Sequence, residues 1–295
     1  MAAVLVAFGA AVLGSWTRIN GAGMTCPDWP LCHGTLIPAF ANGTIWEWTH
    51  RLFAFAVSPL VFAVALLGWR ERARSRFLLP TLVTIALLFV VQVALGAATV
   101  HLSNSPASVV LHWGTAMALI AALMAMSIFA HAATTSHAMP QTPEPGVPGF
   151  LVVSATVAFV TMCLGAYVSA SGAGLACLSI PGCAGNVVVY TQSQDAQMLH
   201  RIFAAATLLC AAGSFAFVFA RPASTRVRVS VSAGLGLVFI QVLLGLANVA
   251  LRLPTDLREA HAVNAALLFL TFVAATIFAA LECEAFDLRT PHAIP

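Results

Sequence analysis

Eight stretches of this chain, about 1–19, 48–69, 78–100, 107–130, 149–171, 198–220, 229–251 and 257–281, each run for a membrane's thickness with scarcely a charge. A helix crosses the hydrocarbon core in roughly 20 apolar residues. Lipid admits only helices and closed barrels, because every backbone polar group must be satisfied inside the protein. The runs lack the alternation of barrel strands, so they specify an all-α integral membrane protein with eight transmembrane helices. Composition agrees, since 60% of residues are hydrophobic and only 8% are charged, too few to cover a soluble surface. The first run has no basic segment before it and no convincing cleavage site after it, so it reads as a retained helix rather than a signal peptide.

All thirteen basic residues are arginine. Arg70, Arg72, Arg74 and Arg76 lie between the second and third runs, Arg221, Arg226 and Arg228 between the sixth and seventh, and Arg289 after the eighth. These positions fall on one side of the bilayer, which the positive-inside rule makes cytoplasmic. The expected setting is the inner membrane of a prokaryotic cell, with both termini cytoplasmic. The +3 net charge is a matter of topology and implies no nucleic-acid partner.

The chain repeats itself. "GSWTRINGAGMTCPDWPLC" (14–32) aligns with "GAYVSASGAGLACLSIPGC" (165–183), sharing a GAG triplet and two cysteines. His50-Arg51 aligns with His200-Arg201, "VQVALGAATV" (91–100) with "IQVLLGLANV" (240–249), and His112 with His261. Ordered anchors of this kind indicate a tandem duplication of a four-helix bundle, the two copies lying parallel about an axis along the membrane normal. The expected division is an N-terminal half (1–130), a Pro- and Thr-rich cytoplasmic linker (131–148) and a C-terminal half (149–283). The GAG triplets follow no strand and lack the third glycine of a dinucleotide fingerprint, so they read as turns leaving the membrane.

Cys26/Cys32 and Cys177/Cys183 fall in the loops after the first and fifth runs, on the non-cytoplasmic side, where an oxidising compartment favours disulfides. A zinc site would need four suitably spaced ligands. Cys163, Cys210 and Cys283 are single and read as small packing residues.

His50, His112, His200 and His261 sit near the starts of the four even-numbered runs, all at the same end of the bundle. Two histidines on two helices can face each other across a porphyrin iron, so each half has one haem-sized site. Arg51 and Arg201 follow the ligands by one residue. Pairing with a haem propionate is one reading of them, and snorkelling to the interface is the other. His33, His101, His131, His137 and His292 have no counterpart in the other half and read as loop residues.

The halves differ at one telling place. "EWTHR" carries Glu47 three residues before His50, whereas "QMLHR" carries Gln197 before His200. Residues three apart share a helix face. A site that removes hydrogen from a substrate has use for a base, and a site that only holds a cofactor does not. The competing reading makes Glu47 a plain interfacial carboxylate paired with Arg51.

The paired "EWTHR" and "QMLHR" motifs, the two CxxxxxC loops and the duplicated eight-helix pattern together resemble haem A synthase over nearly the whole chain. That resemblance implies oxidation of a ring methyl of haem O to a formyl group, giving haem A for terminal oxidases. It implies haem b held by His200 and His261, with haem O flanked by His50 and His112 and Glu47 as the essential acid. It also implies an electron donor, with the enzyme that makes haem O as a candidate partner. The strongest rival is a di-haem membrane cytochrome b that only relays electrons, which leaves the Glu47/Gln197 difference without a reason. A transporter would be expected to break its helices near the midplane, whereas the ionisable groups here cluster at one end.

Overall fold

The structure, a computed structural model, describes residues 1–134, 146–183 and 191–287. It contains the helices α1 (Ala2–Ile19), α2 (Thr44–Glu71), α3 (Leu78–His101), α4 (Pro106–Thr134), α5 (Gly146–Ala170), α6 (Gln192–Phe219), α7 (Thr225–Ala250) and α8 (Thr255–Asp287). Each is long and apolar enough to cross a membrane, as the eight runs predict. The chain is an all-α, multi-pass membrane protein.

Several helices outrun their apolar stretches: α2 begins at Thr44 and α6 at Gln192, while α4 continues to Thr134. Bilayer thickness dictates where apolar side chains are needed, but backbone hydrogen bonding continues into flanking polar turns until something caps it. Thr191 and Ser224 supply such caps, their hydroxyls accepting from Gln194 N and Val227 N. Of the predicted linker, residues 131–134 complete α4 and 146–148 begin α5, and the remainder lies outside the described residues.

Helices α1, α4, α5 and α8 form the buried centre, flanked by α2 with α3 and by α6 with α7. The flanking helices turn large apolar residues such as Phe55, Phe62, Leu209 and Leu243 outward, which suits contact with lipid. Between helices in lipid there is little hydrophobic driving force, so close packing of small residues does the work. Ala3, Ala7, Ala10 and Ala11 supply it on α1, against a cluster that includes Val57, Ile85, Met117 and Ile120. A second cluster centres on Leu151, Val227, Val231 and Phe272.

The α5–α6 seam adds hydroxyl pairs, Ser154 with Ser214 and Thr161 with Thr207, each at 2.8 Å. In the sequence alignment above, Ala3, Val64, Ala10 and Val57 take these four places between α1 and α2. Interhelical hydrogen bonds of this type contribute about 0.6 kcal/mol each. The α5–α6 seam is thereby tied more tightly than its α1–α2 counterpart.

Candidate functional site

His50, His112, His200 and His261 all lie within the first turns of α2, α4, α6 and α8, at the end of the bundle that carries the two cysteine loops. The rings of His200 and His261 stand 6.4 Å apart, centre to centre, with their planes at 76°. Two imidazoles sharing one metal, with metal–nitrogen bonds of about 2.0–2.1 Å, bring their ring centres about 6–6.5 Å apart. The pair therefore has the centre-to-centre spacing of a bis-imidazole site, and two histidines on facing helices are a donor set that fits a haem.

Each ring rests on a glycine of the preceding odd-numbered helix. A Cβ built on Gly14 would stand 2.6 Å from His50 Cε1, and one on Gly165 would stand 2.9 Å from His200 Cε1. Gly96 and Gly245 face His112 and His261 more loosely, both at 3.3 Å. His50 Nδ1 pairs with the Ala10 carbonyl at 2.9 Å, and His200 Nδ1 with the Thr161 carbonyl at 3.1 Å. A carbonyl fixes the proton on Nδ1 and leaves Nε2 as the ligating atom.

The other two rings meet glutamines on α3 and α7. Gln92 Nε2 lies 3.4 Å from His112 Nε2, and Gln241 Nε2 lies 3.1 Å from His261 Nε2. Gln241 is further fixed by Asn264, whose Nδ2 donates to Gln241 Oε1 at 2.7 Å and to the Leu237 carbonyl at 2.9 Å.

The acid and the arginines belong to the loop junctions. Glu47 is 4% exposed. Its Oε2 accepts from Cys26 N at 2.8 Å and Thr25 Oγ1 at 3.0 Å, while its Oε1 pairs with Arg51 Nη2 at 2.7 Å. Arg51 also donates to the carbonyls of Cys26, Asp28 and Leu31. In the second junction Gln197 Oε1 accepts from Cys177 N at 2.6 Å, and its Nε2 donates to the Gly174 carbonyl at 2.8 Å. Arg201 donates to the carbonyls of Cys177, Ser179, Pro181 and Gly182. Both guanidinium groups thus hold loop carbonyls, and a haem propionate would have to compete with these. The sulfurs stand at bonding distance in both loops, 1.99 Å for Cys26–Cys32 and 2.18 Å for Cys177–Cys183.

In the first loop Asp28 caps a tight turn, accepting from His33 N at 2.6 Å and Gly34 N at 2.8 Å. The Gly34 amide, seconded by that of His33, holds the Asp28 carboxyl below the usual carboxylate range.

A family model described as cytochrome oxidase assembly protein matches residues 1–273. The chain belongs to this family. Its curated relatives include proteins named heme A synthase. The one from Shewanella oneidensis is 28% identical over 90% of this chain and 91% of its own length. Those from Alkalihalophilus pseudofirmus and Bacillus pumilus are each 30% identical. The chain spans 59% of the length of the former and 65% of the latter.

Several residues around the histidines escape a search for ionisable motifs: the four glycines, Gln92, Gln241 and Asn264. A signal for most of them was present. The glutamines and two of the glycines sit four residues apart inside the repeated "VQVALG" and "IQVLLG", one helical face in each case. Another is Glu259, buried on α8, whose Oε2 accepts from Ser15 Oγ of α1 at 2.8 Å. With Arg18 donating to Ser169 at 3.0 Å, it ties α1 to α8 and α5 at the centre.

Proposed function

We propose that this chain is a haem A synthase, oxidising a ring methyl of haem O to a formyl group in the cell membrane of a prokaryote. The family match over residues 1–273, with relatives of that name, is the observation that carries the reading. Conversion of methyl to formyl proceeds by two successive two-electron oxidations, through the alcohol, with release of protons at each stage.

His200 and His261 hold haem b, a role supported by their 6.4 Å spacing. When bound, haem b supplies a one-electron relay to an external electron partner. His50 and His112 flank the substrate haem on the first four helices. His50 presents Nε2, because the Ala10 carbonyl occupies Nδ1. Glu47 accepts a proton beside this site, passing between its partnership with Arg51 and a protonated state. Arg51 and Arg201 hold the cysteine loops closed over the ends of both sites, one step back from the propionates. The two halves arise by duplication. The termini face the cytoplasm and the cysteine loops the oxidising side. The enzyme that makes haem O is a fitting source of substrate.

The test is expression in cells that make haem O but no haem A, followed by chromatography of extracted haems and a low-temperature spectrum of the purified protein. Haem A should appear, together with a low-spin haem b that His200→Ala or His261→Ala removes and His50→Ala leaves. Two permanently bound haems b, with no haem A formed, would favour the electron-relay alternative.

A further inference from the structure

Three partners hold the Glu47 carboxylate, and only one of them can take a proton from it. The Cys26 N–H and the Arg51 guanidinium are donors with no lone pair to offer. The Thr25 hydroxyl is different. Its Oγ1 lies 3.0 Å from Glu47 Oε2 and 2.9 Å from the Ala22 carbonyl, so its single O–H has two acceptors to choose between, and its oxygen can itself accept. The hydroxyl can therefore turn away from Glu47 whenever the carboxylate is protonated.

Thr25 also lies on the wall of a cavity of about 550 Å³, together with His33, Thr35, Asn42, Thr44 and apolar residues such as Ile37. His33, Thr35 and Asn42 are exposed, so the cavity opens on the side of the bundle that carries the cysteine loops. A space of this volume with polar groups on its wall admits water. The other ionisable groups of this junction are His50 and Arg51 on α2 and Asp28 and His33 in the loop. Of these, His33 shares the cavity wall, and its Nε2 lies 2.9 Å from the Thr25 carbonyl. In the second half Ala176 stands at the aligned place of Thr25 and Gln197 at that of Glu47. An acid and a hydroxyl that occur together in one half, and are replaced together in the other, point to one shared task.

We propose that Thr25 is the proton relay of the substrate site, carrying each proton that Glu47 collects into the cavity and out on the cysteine-loop side. The carboxyl O–H of Glu47 breaks as a new O–H forms at Thr25 Oγ1, and the hydroxyl's former proton passes to water in the cavity. No electrons are transferred in this step, and rotation of the hydroxyl restores the starting arrangement. Thr25 acts through Glu47 rather than on the haem. The relay rests on the haem A synthase reading for the source of its protons, but one arm of its test requires no turnover.

Thr25→Val nearly keeps the shape and removes the hydroxyl, whereas Thr25→Ser keeps the hydroxyl. Positioned proton transfer contributes on the order of 10²–10⁴ in rate. In cells that make haem O, Thr25→Val should therefore lower haem A formation about 10²-fold with haem b still bound, and Thr25→Ser should remain near normal. Formate, small enough to enter the cavity, should restore much of the activity of Thr25→Ala, which a purely structural hydroxyl would not allow. The second arm follows hydrogen–deuterium exchange of the Glu47 carboxyl in the purified protein, at a pH low enough to protonate it. The signal is the infrared carbonyl band that Glu47→Gln removes, and its exchange should be slower in Thr25→Val than in the unaltered protein. Equal exchange in the two proteins, or normal haem A from Thr25→Val, would overturn the proposal. So would a Thr25→Ser variant as impaired as Thr25→Val. Slowed exchange in a protein that never forms haem A would sink the synthase reading and leave the relay standing.

Discussion

The two cysteine-loop junctions are built to one plan and differ in one charge. In each, an arginine on the following helix gathers loop carbonyls, and the residue four positions before it accepts the backbone N–H of the first cysteine. Gln197 does this with an amide and uses its spare N–H on Gly174. Glu47 does it with a carboxylate, and draws in Arg51 and the Thr25 hydroxyl, where the second junction has Ala176. Holding the loop does not require an acid, as the second junction demonstrates. The acid at the first junction pairs with Arg51, and it is the difference on which the proposed proton-transfer role rests.

Glu47→Gln gives the largest expected effect, because it copies the second junction into the first. The new amide can accept from Cys26 N as Gln197 does from Cys177 N, so the loop should stay closed and haem b bound. A positioned general base contributes on the order of 10²–10⁴ in rate, so haem A formation should fall to a trace while haem O or its alcohol accumulates. The reciprocal Gln197→Glu should create no second active site. Haem chromatography on membranes of both variants decides the matter. Near-normal haem A from Glu47→Gln would reduce Glu47 to a partner of Arg51 and erase the functional half of the comparison.

The arginines come next, with stability as the readout. Arg51→Met strands a carboxylate that is only 4% exposed, and breaking such a pair typically costs about 3–5 kcal/mol. Arg201→Met strands only neutral carbonyls, at about 1–3 kcal/mol for a lost buried partner. Thermal unfolding of the purified protein, followed through tryptophan fluorescence, should rank Arg51→Met as the more damaging. Adding Glu47→Gln to it should restore much of the loss, since the two effects are coupled through one contact. Equal damage from both arginine changes would mean that the carbonyls dominate and that the charge at the first junction is incidental.

How much of this was open to the sequence follows from what each level depends on. The eight helices are legible because bilayer thickness writes itself as apolar run length, and the histidines are legible because they recur in register at one end. The direction of Glu47 is not. Helical spacing puts it on the face of His50, yet its carboxylate turns to the loop, because an unfilled N–H at Cys26 and the Arg51 guanidinium lie there. Arg51 and Arg201 invite a propionate in the sequence for the same reason that they bind carbonyls in the fold: both are acceptors, and only three-dimensional proximity ranks them. The anchoring of Gln241 is likewise invisible locally, since it depends on Asn264 across a helix interface.

The smallest effect concerns Asp28, and it separates the loops by pH. Its carboxylate caps His33 N and Gly34 N in the first loop, whereas Ser179 stands at the aligned place in the second. His33 and Gly34 both have positive φ, 54° and 71°, so this turn is one that needs holding. Because the Asp28 carboxyl is held below its ordinary value of 3.8, the ionised form favours the folded turn. That contribution is complete above the ordinary value and is lost as the pH falls through the lower, folded one. Asp28 is partly exposed, so solvent and salt blunt the effect. Reduction of the two disulfides by a phosphine, which acts at acid pH, should show it. The Cys26–Cys32 bond should become more readily reduced as the pH drops below about 4, within a factor of a few, while Cys177–Cys183 stays level. Asp28→Asn should keep part of the cap and remove the pH dependence. If both bonds respond to acid equally in the unaltered protein, the turn is held by something the two loops share, and Asp28 does not distinguish them.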